Sequence, residues 1–189
     1  INSVNGKAEI MEQVFPLVKK YGGVVVGLAL DEDGIPDTTE GRLAIAEKIY
    51  QTGEKYGISR KDIVIDALVM TMSTNNESAK ITLDTVKEIT ARGGKTVLGV
   101  SNISFGLPER VFVNTAFLTL AIGQGLTMAI ANPSQDLLMH AVFAADLLMN
   151  KPDADLRYIN RVSEHKISVV SGEVDAVQTT TKKSGSGSC

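Results

Sequence analysis

Small polar side chains that could bind a ligand follow the strand-like segments of this sequence. In VLGVSNISFGLPER, residues 97–110, an apolar run ends in Ser101 and Asn102, and Arg110 follows eight residues after the asparagine. Asp66 ends the apolar IVID run, and Asn2 lies in INSVN at the start of the chain. Amides and carboxylates suit hydrogen-bond recognition of a flat heterocycle that has donor and acceptor edges. We therefore expect a binding site for such a ligand.

Asp66 is the one carboxylate inside an otherwise apolar strand-like segment. A buried carboxylate is costly unless it meets a cation or hydrogen-bond donors. A salt bridge to a neighbouring helix is one interpretation, and ligand binding is the other. Because no Arg or Lys lies at an adjacent strand end, the sequence favours ligand binding.

Nucleophilic catalysis by the protein and a metal site are not expected. The single cysteine, Cys189, is the last residue, and neither His140 nor His165 lies at a strand end. A Ser-His-Asp set therefore cannot be assembled from one polar rim. The DEDG segment, residues 31–34, does not continue the spacing of an EF-hand, so we interpret it as a solvated turn.

Apolar β-branched segments alternate with segments of helical period. Four complete strand-helix units are predicted, with strands in residues 22–30, 62–70, 95–102 and 126–133, and Ser134 is the predicted N-cap of the last helix. Residues 1–5 resemble the end of a further strand, followed by a helix over about residues 9–21. Such alternation predicts a parallel sheet with right-handed crossovers.

The predicted fold is α/β, a TIM (β/α)₈ barrel of which this chain carries the C-terminal five strand-helix units. A doubly wound nucleotide fold would normally show GxGxxG or GxxxxGK[ST] after an early strand, and the sequence contains neither. Residues 1–159 are assigned to the barrel. Residues 160–189 end in Gly/Ser composition and are assigned to a linker toward another domain, although residues 167–170 could alternatively form a short edge strand.

Composition argues against several classes of partner. The formal net charge of −3 gives no basic footprint for nucleic acid or an anionic membrane. No apolar run approaches the roughly 20 residues that a membrane span needs. With one cysteine and no signal-peptide layout, a cytoplasmic protein is expected.

Several segments together resemble a known family. INSVNG, GLALDEDGIPDTTEGR, IVIDALVM, VLGVSNISFGLPER with NTAFL, and GLTMAIANP are similar to the pterin-binding domain of cobalamin-dependent methionine synthase and of methyltetrahydrofolate:corrinoid protein methyltransferases. The resemblance covers residues 1–159. It implies a site for methyltetrahydrofolate, and it implies that three strands of the barrel, one of them bearing another pterin-binding aspartate, precede the segment seen here. The site of this chain alone is therefore expected to be incomplete.

The resemblance also assigns roles to individual residues. Asn2 and Asp66 correspond to residues that hydrogen-bond the pterin edge, and Asn102 corresponds to the catalytic asparagine at N5, the nitrogen that carries the methyl group. Gly99 and Ser101 line the same pocket, and Arg110 lies close by. Thr127 is a departure, because relatives usually have an aspartate in that last strand.

The implied reaction is transfer of the N5 methyl group to a reduced corrinoid, cobalamin, carried by another domain or protein. The linker favours methionine synthase. The alternatives are the methyltetrahydrofolate:corrinoid/iron-sulfur protein methyltransferase of the acetyl-CoA pathway and a non-catalytic pterin-binding barrel. The expected partners are the corrinoid-binding domain or protein and the pterin substrate, and a homodimer is a further alternative.

Overall fold

A computed structural model describes residues 1–164 as a parallel sheet whose strands alternate with helices. The strands are β1 Asn2–Asn5, β2 Val25–Leu28, β3 Ile63–Asp66, β4 Lys95–Gly99 and β5 Met128–Ile130. The helices are α1 Ala8–Tyr21, α2 Thr39–Lys55, α3 Ser78–Ala91, α4 Arg110–Gly123, α5 Asp136–Leu148 and α6 Ala154–Glu164. Short 3₁₀ turns occupy Arg60–Asp62 and Val100–Ser104.

The strand order confirms the barrel prediction. The strands are all parallel and lie in the sheet in the order in which they occur along the chain, β1-β2-β3-β4-β5. A doubly wound sheet reverses its order at a switch point, whereas a (β/α)₈ barrel adds each new strand on the same side. The five units therefore correspond to consecutive units of a TIM barrel.

The sheet has one face toward the helices and one toward the interior of the barrel, here called the inner face. In a parallel ladder, paired residues point to the same side, and the side alternates along each strand. Ile63 and Ile65 point toward the helices and belong to the buried core with Phe15 and Ile49. Val26 and Leu28 pair with Val64 and Asp66, so this row lies on the inner face.

The inner face is most open at β5. Met128 is 42% exposed and Ile130 is 60% exposed. Within residues 1–164, β5 pairs with β4 alone and β1 pairs with β2 alone. Both edges of the described sheet therefore present unpaired strand backbone.

Helix ends follow the sequence signals in α2 but not in α5. The Thr38 side chain accepts a hydrogen bond from the Gly41 N–H at 3.1 Å and caps α2, and Gly57 follows that helix with φ of 72°. The prediction of Ser134 as N-cap of α5 was wrong, since the N-cap is Gln135. The Asn132 side-chain oxygen accepts a hydrogen bond from the Ser134 N–H at 2.9 Å. Ser134 therefore belongs to a turn, and the helix begins after it.

The segment after α5 forms its own helix. Asn150 and Asp153 both have positive φ, which ends α5 and separates it from α6. Arg161 of α6 donates to Asp136 of α5 at 2.6 Å. Helix α6 passes through the predicted boundary at residue 159, and the predicted linker beyond residue 164, including residues 167–170, lies outside the described residues.

No helix within residues 1–164 is long and apolar enough to cross a membrane. No group of three or more His, Cys, Asp or Glu side chains in the same range is placed to hold a metal ion.

Candidate functional site

The loop after β3 and the turn after β4 are tied together at the carboxyl end of the sheet. The Met72 N–H donates to the Ile103 carbonyl at 3.0 Å. The Thr71 and Ser73 hydroxyls both donate to the Phe105 carbonyl, at 2.7 and 3.1 Å. These bonds join segments about 30 residues apart, so Asp66 and Asn102 lie on one connected rim.

Asp66 is the last residue of β3 and points to the inner face. Its Oδ1 accepts a hydrogen bond from the Leu68 N–H at 2.9 Å, and within residues 1–164 its Oδ2 has no hydrogen-bond partner. Burial raises the pKa of this carboxyl, although the Leu68 hydrogen bond and the charge of Arg42 act to lower it. An ionised Asp66 can therefore accept further hydrogen bonds, which a ligand with N–H groups would supply.

Arg42 was not identified from the sequence as a neighbour of Asp66, because only cations at adjacent strand ends were considered there. The cation comes from helix α2 rather than from a strand end. Arg42 falls on the apolar stripe of α2 with Ile45, Ala46 and Ile49, and these side chains are all buried. A basic residue on the buried stripe of a helix is the signal that could have revealed it.

Gly99 leaves room for the Asn102 side chain. A Cβ atom added at Gly99 would lie 3.3 Å from Asn102 Nδ2, closer than ordinary van der Waals contact. The Phe105 N–H donates to the Asn102 carbonyl at 3.2 Å and so fixes the turn that carries this residue. The Asn102 amide therefore lies directly against the backbone at the end of β4, where it is exposed to a ligand.

Arg110 and Ser101 hold the 3₁₀ turn after β4. Arg110 donates from Nη2 to the Ser101 carbonyl at 2.7 Å and from Nε to Ser104 Oγ at 3.0 Å. These residues border a cavity of about 210 Å³ between the ends of β4 and β5, into which Asn114 and Asn132 also project. Asn114 is buried, and its Oδ1 has no partner among the described residues, a feature that the sequence did not reveal.

Asn2 reaches the inner face through an irregularity in β1. It pairs with Val26, whereas Val4, two residues later, pairs with Gly27. This register shift places Asn2 in a row of inner-face residues while Val4 faces the helices. Asn2 is the first residue of β1, and its partner Val26 lies two residues before Leu28, which pairs with Asp66. The pairing therefore puts the two candidate pterin ligands on one face but not side by side.

Thr127 lies at the opposite end of the sheet from the rim. It immediately precedes β5, and its Oγ1 accepts a hydrogen bond from the Thr96 N–H at 3.2 Å. The side chain thus joins β4 to β5 at their amino ends. Thr127 therefore makes a structural contact at this position.

Comparisons with known proteins identify the family to which this chain belongs. The sequence profile described as "Pterin binding enzyme" matches residues 1–132. The chain is 31% identical over 175 residues to the methylcorrinoid:tetrahydrofolate methyltransferase of Eubacterium limosum, a match that covers 90% of this chain. It is 34% and 33% identical to the methionine synthases of Mycobacterium tuberculosis and Mycobacterium leprae, each match covering 75% of this chain.

The matches cover the relatives to different extents. The chain spans 64% of the length of the Eubacterium limosum protein and 13% of the length of each methionine synthase. The family match includes all five strands and every candidate site residue from Asn2 to Asn132.

Proposed function

The chain belongs to the pterin-binding enzyme family, and we propose that its rim binds a methylated tetrahydrofolate and transfers the N5 methyl group to a corrinoid. The observation that carries the proposal is the connected rim itself. A donor-deficient carboxylate, Asp66, and an exposed amide, Asn102 over Gly99, stand at neighbouring strand ends. The names of the relatives supply the class of reaction.

Asp66 recognises the edge of the pterin ring. That edge presents adjacent N–H groups, and an ionised carboxylate accepts two such bonds in parallel. The carboxylate is partly buried and accepts one hydrogen bond, from the Leu68 N–H. The N–H groups of the pterin would replace hydrogen bonds to water that the carboxylate loses on burial. Ionised Asp66 is the form that binds.

Asn102 acts at N5. When the bond between N5 and the methyl carbon breaks, its electron pair remains on N5, and the Asn102 amide donates a hydrogen bond that strengthens as this charge develops. The proton that N5 finally gains comes from solvent. A neutral amide suits this position because it stabilises the developing charge without a titratable group of its own.

A reduced corrinoid carried by another domain or protein would supply cobalt(I), whose electron pair would form the new bond to the methyl carbon as the bond to N5 breaks, and the reverse transfer would return that pair to cobalt. One site serves both directions, since forward and reverse transfer pass through the same transition state. The proposed physiological role is that of methionine synthase, as the predicted linker suggests, with the acetyl-CoA-pathway methyltransferase as the alternative. A cytoplasmic location and a homodimer also remain proposals.

An anaerobic single-turnover reaction tests the function. The full-length protein is mixed with 5-methyltetrahydrofolate and a reduced corrinoid, and the corrinoid absorbance follows methyl transfer, while calorimetry measures folate binding separately. We expect binding and transfer, both retained in Asn160→Ala, an exposed asparagine of α6 that serves as the control. Binding without transfer would favour the non-catalytic barrel, and absence of binding would refute the proposal.

A further inference from the structure

A buried arginine lies beneath the loop that carries Asp66. Arg42 is 1% exposed and is the largest fully buried side chain within residues 1–164. Burying a guanidinium is costly unless its donors are satisfied and its charge is compensated. We therefore looked for a function that requires a buried arginine at this position.

The donors of Arg42 are directed at the backbone next to Asp66. Nη1 donates to the carbonyls of Ala67 and Leu68, both at 2.7 Å, and Nε donates to the Pro36 carbonyl at 3.0 Å. Thr82 Oγ1 lies 3.3 Å from the same Nη1 and from the Leu68 carbonyl. The guanidinium thus forms hydrogen bonds with the backbone of Ala67 and Leu68, the two residues that follow Asp66.

Leu68 links the hydrogen bonds of Arg42 to the Asp66 carboxylate. It has a φ of 61°, a left-handed conformation that is uncommon for a leucine. In this conformation its carbonyl accepts from Arg42, and its N–H donates to Asp66 Oδ1. The guanidinium therefore reaches the carboxylate through one residue of backbone, and the contact is not a direct ion pair.

The positive charge of Arg42 also acts on the Asp66 carboxylate. The charge of Arg42 lowers the pKa of Asp66, opposing the effect of burial. Burial lowers the pKa of Arg42, and the charges of Asp37 and Asp66 offset only part of that effect. These are the charged groups that act on the pair in the described part of the chain.

We propose that Arg42 is a positioning residue for pterin binding, which fixes the Ala67–Leu68 backbone so that the Asp66 carboxylate faces the ligand. The positive charge of Arg42 acts alongside this contact by favouring the ionised form of Asp66. The inference rests on the proposed binding of a pterin by Asp66. A residue that only stabilised the fold would lower the melting temperature without changing the titration of Asp66. A positioning residue changes both the titration and the pH dependence of binding.

The test compares Arg42→Met with Arg92→Met, which removes an exposed arginine that pairs with Glu88 on the surface. Carbon NMR follows the titration of the Asp66 side-chain carboxyl in the full-length protein, and calorimetry measures 5-methyltetrahydrofolate affinity as a function of pH. In Arg42→Met we expect the Asp66 midpoint and the acid limb of binding to move to higher pH. Affinity at pH 7 should fall at least about tenfold. Arg92→Met should match the wild type.

Two further variants separate the charge of Arg42 from its hydrogen bonds. Arg42→Gln retains a donor for the carbonyls but loses the charge, so its Asp66 midpoint should still rise even if Arg42→Met does not fold. Arg42→Lys keeps the charge and should restore the midpoint. An unchanged midpoint in a folded Arg42→Gln protein would overturn the inference. Failure of the wild type to bind folate would instead refute the proposed function, while the NMR titration would still report on Arg42.

Discussion

Replacing Asp66 by asparagine should weaken pterin binding and stabilise the fold at the same time. Asparagine has the shape of the aspartate, and its carbonyl oxygen can still accept the hydrogen bond from Leu68 that closes the loop. The substitution removes the negative charge and places an N–H donor where the pterin also presents donors. Binding and stability should therefore change in opposite directions.

The two magnitudes follow from the environment of the carboxylate. A hydrogen bond to a charged group contributes about 2–3 kcal/mol, so the dissociation constant for 5-methyltetrahydrofolate should rise about 30- to 150-fold. For stability, burial outweighs both the Leu68 hydrogen bond and the charge of Arg42, and the pKa of Asp66 is raised. The native state therefore binds a proton at Asp66 more tightly than the unfolded chain does, and asparagine avoids the cost of burying the ionised form.

The sign of the pH dependence follows from proton binding. Because the native pKa is raised, the native state holds a proton that the unfolded chain releases, and the wild type loses stability as pH rises from the unfolded pKa, about 4, through the native pKa. The stability of Asp66→Asn should not fall in this way, because asparagine does not titrate. The variant should be the more stable protein at pH 7, and the difference should shrink at pH values below about 4.

Calorimetry and thermal melts at several pH values check both expectations, with Asp33→Asn, an exposed loop residue, as the control. Unchanged folate affinity in a folded Asp66→Asn protein would assign this carboxylate a structural role only. A lower melting temperature than the wild type at pH 7 would show that burial does not dominate its energetics.

Three other expectations concern Asn102, Gly99 and the open edge of the sheet. Asn102→Ala should slow single-turnover methyl transfer by roughly 10²–10³ while folate affinity falls much less, and equal losses would mean that Asn102 only holds the substrate. Gly99→Ala places a Cβ 3.3 Å from Asn102 Nδ2 and should slow transfer by about tenfold through displacement of the amide, and a rate equal to wild type would contradict that reasoning. The chain expressed alone should associate or bind a hydrophobic dye strongly, because Met128 and Ile130 lie exposed at the edge of β5, and a monodisperse monomer with a cooperative melt would argue otherwise.

Local patterns in the sequence were sufficient to predict the elements of the fold. Continuous apolar runs predicted β2, β3 and β4, and helical periodicity predicted α1 to α5, since both patterns reflect which side of an element is buried. The absence of a phosphate-binding glycine motif favoured the barrel, which the sequential strand order confirms. The motifs around Asp66 and Asn102 identified the family. The roles of Asn2, Asp66, Gly99, Ser101, Asn102 and Arg110 at the site stay predictions.

The contacts that organise the site were decided by tertiary structure. Arg42 lies 24 residues before Asp66 in the sequence, and only the packing of α2 on the sheet brings its guanidinium under the loop after β3. The register shift that turns Asn2 toward the inner face depends on how β1 pairs with β2, which the short INSVN segment does not encode by itself. Local periodicity reports which face of an element is buried, whereas the identity of the neighbour across that face is set by long-range packing.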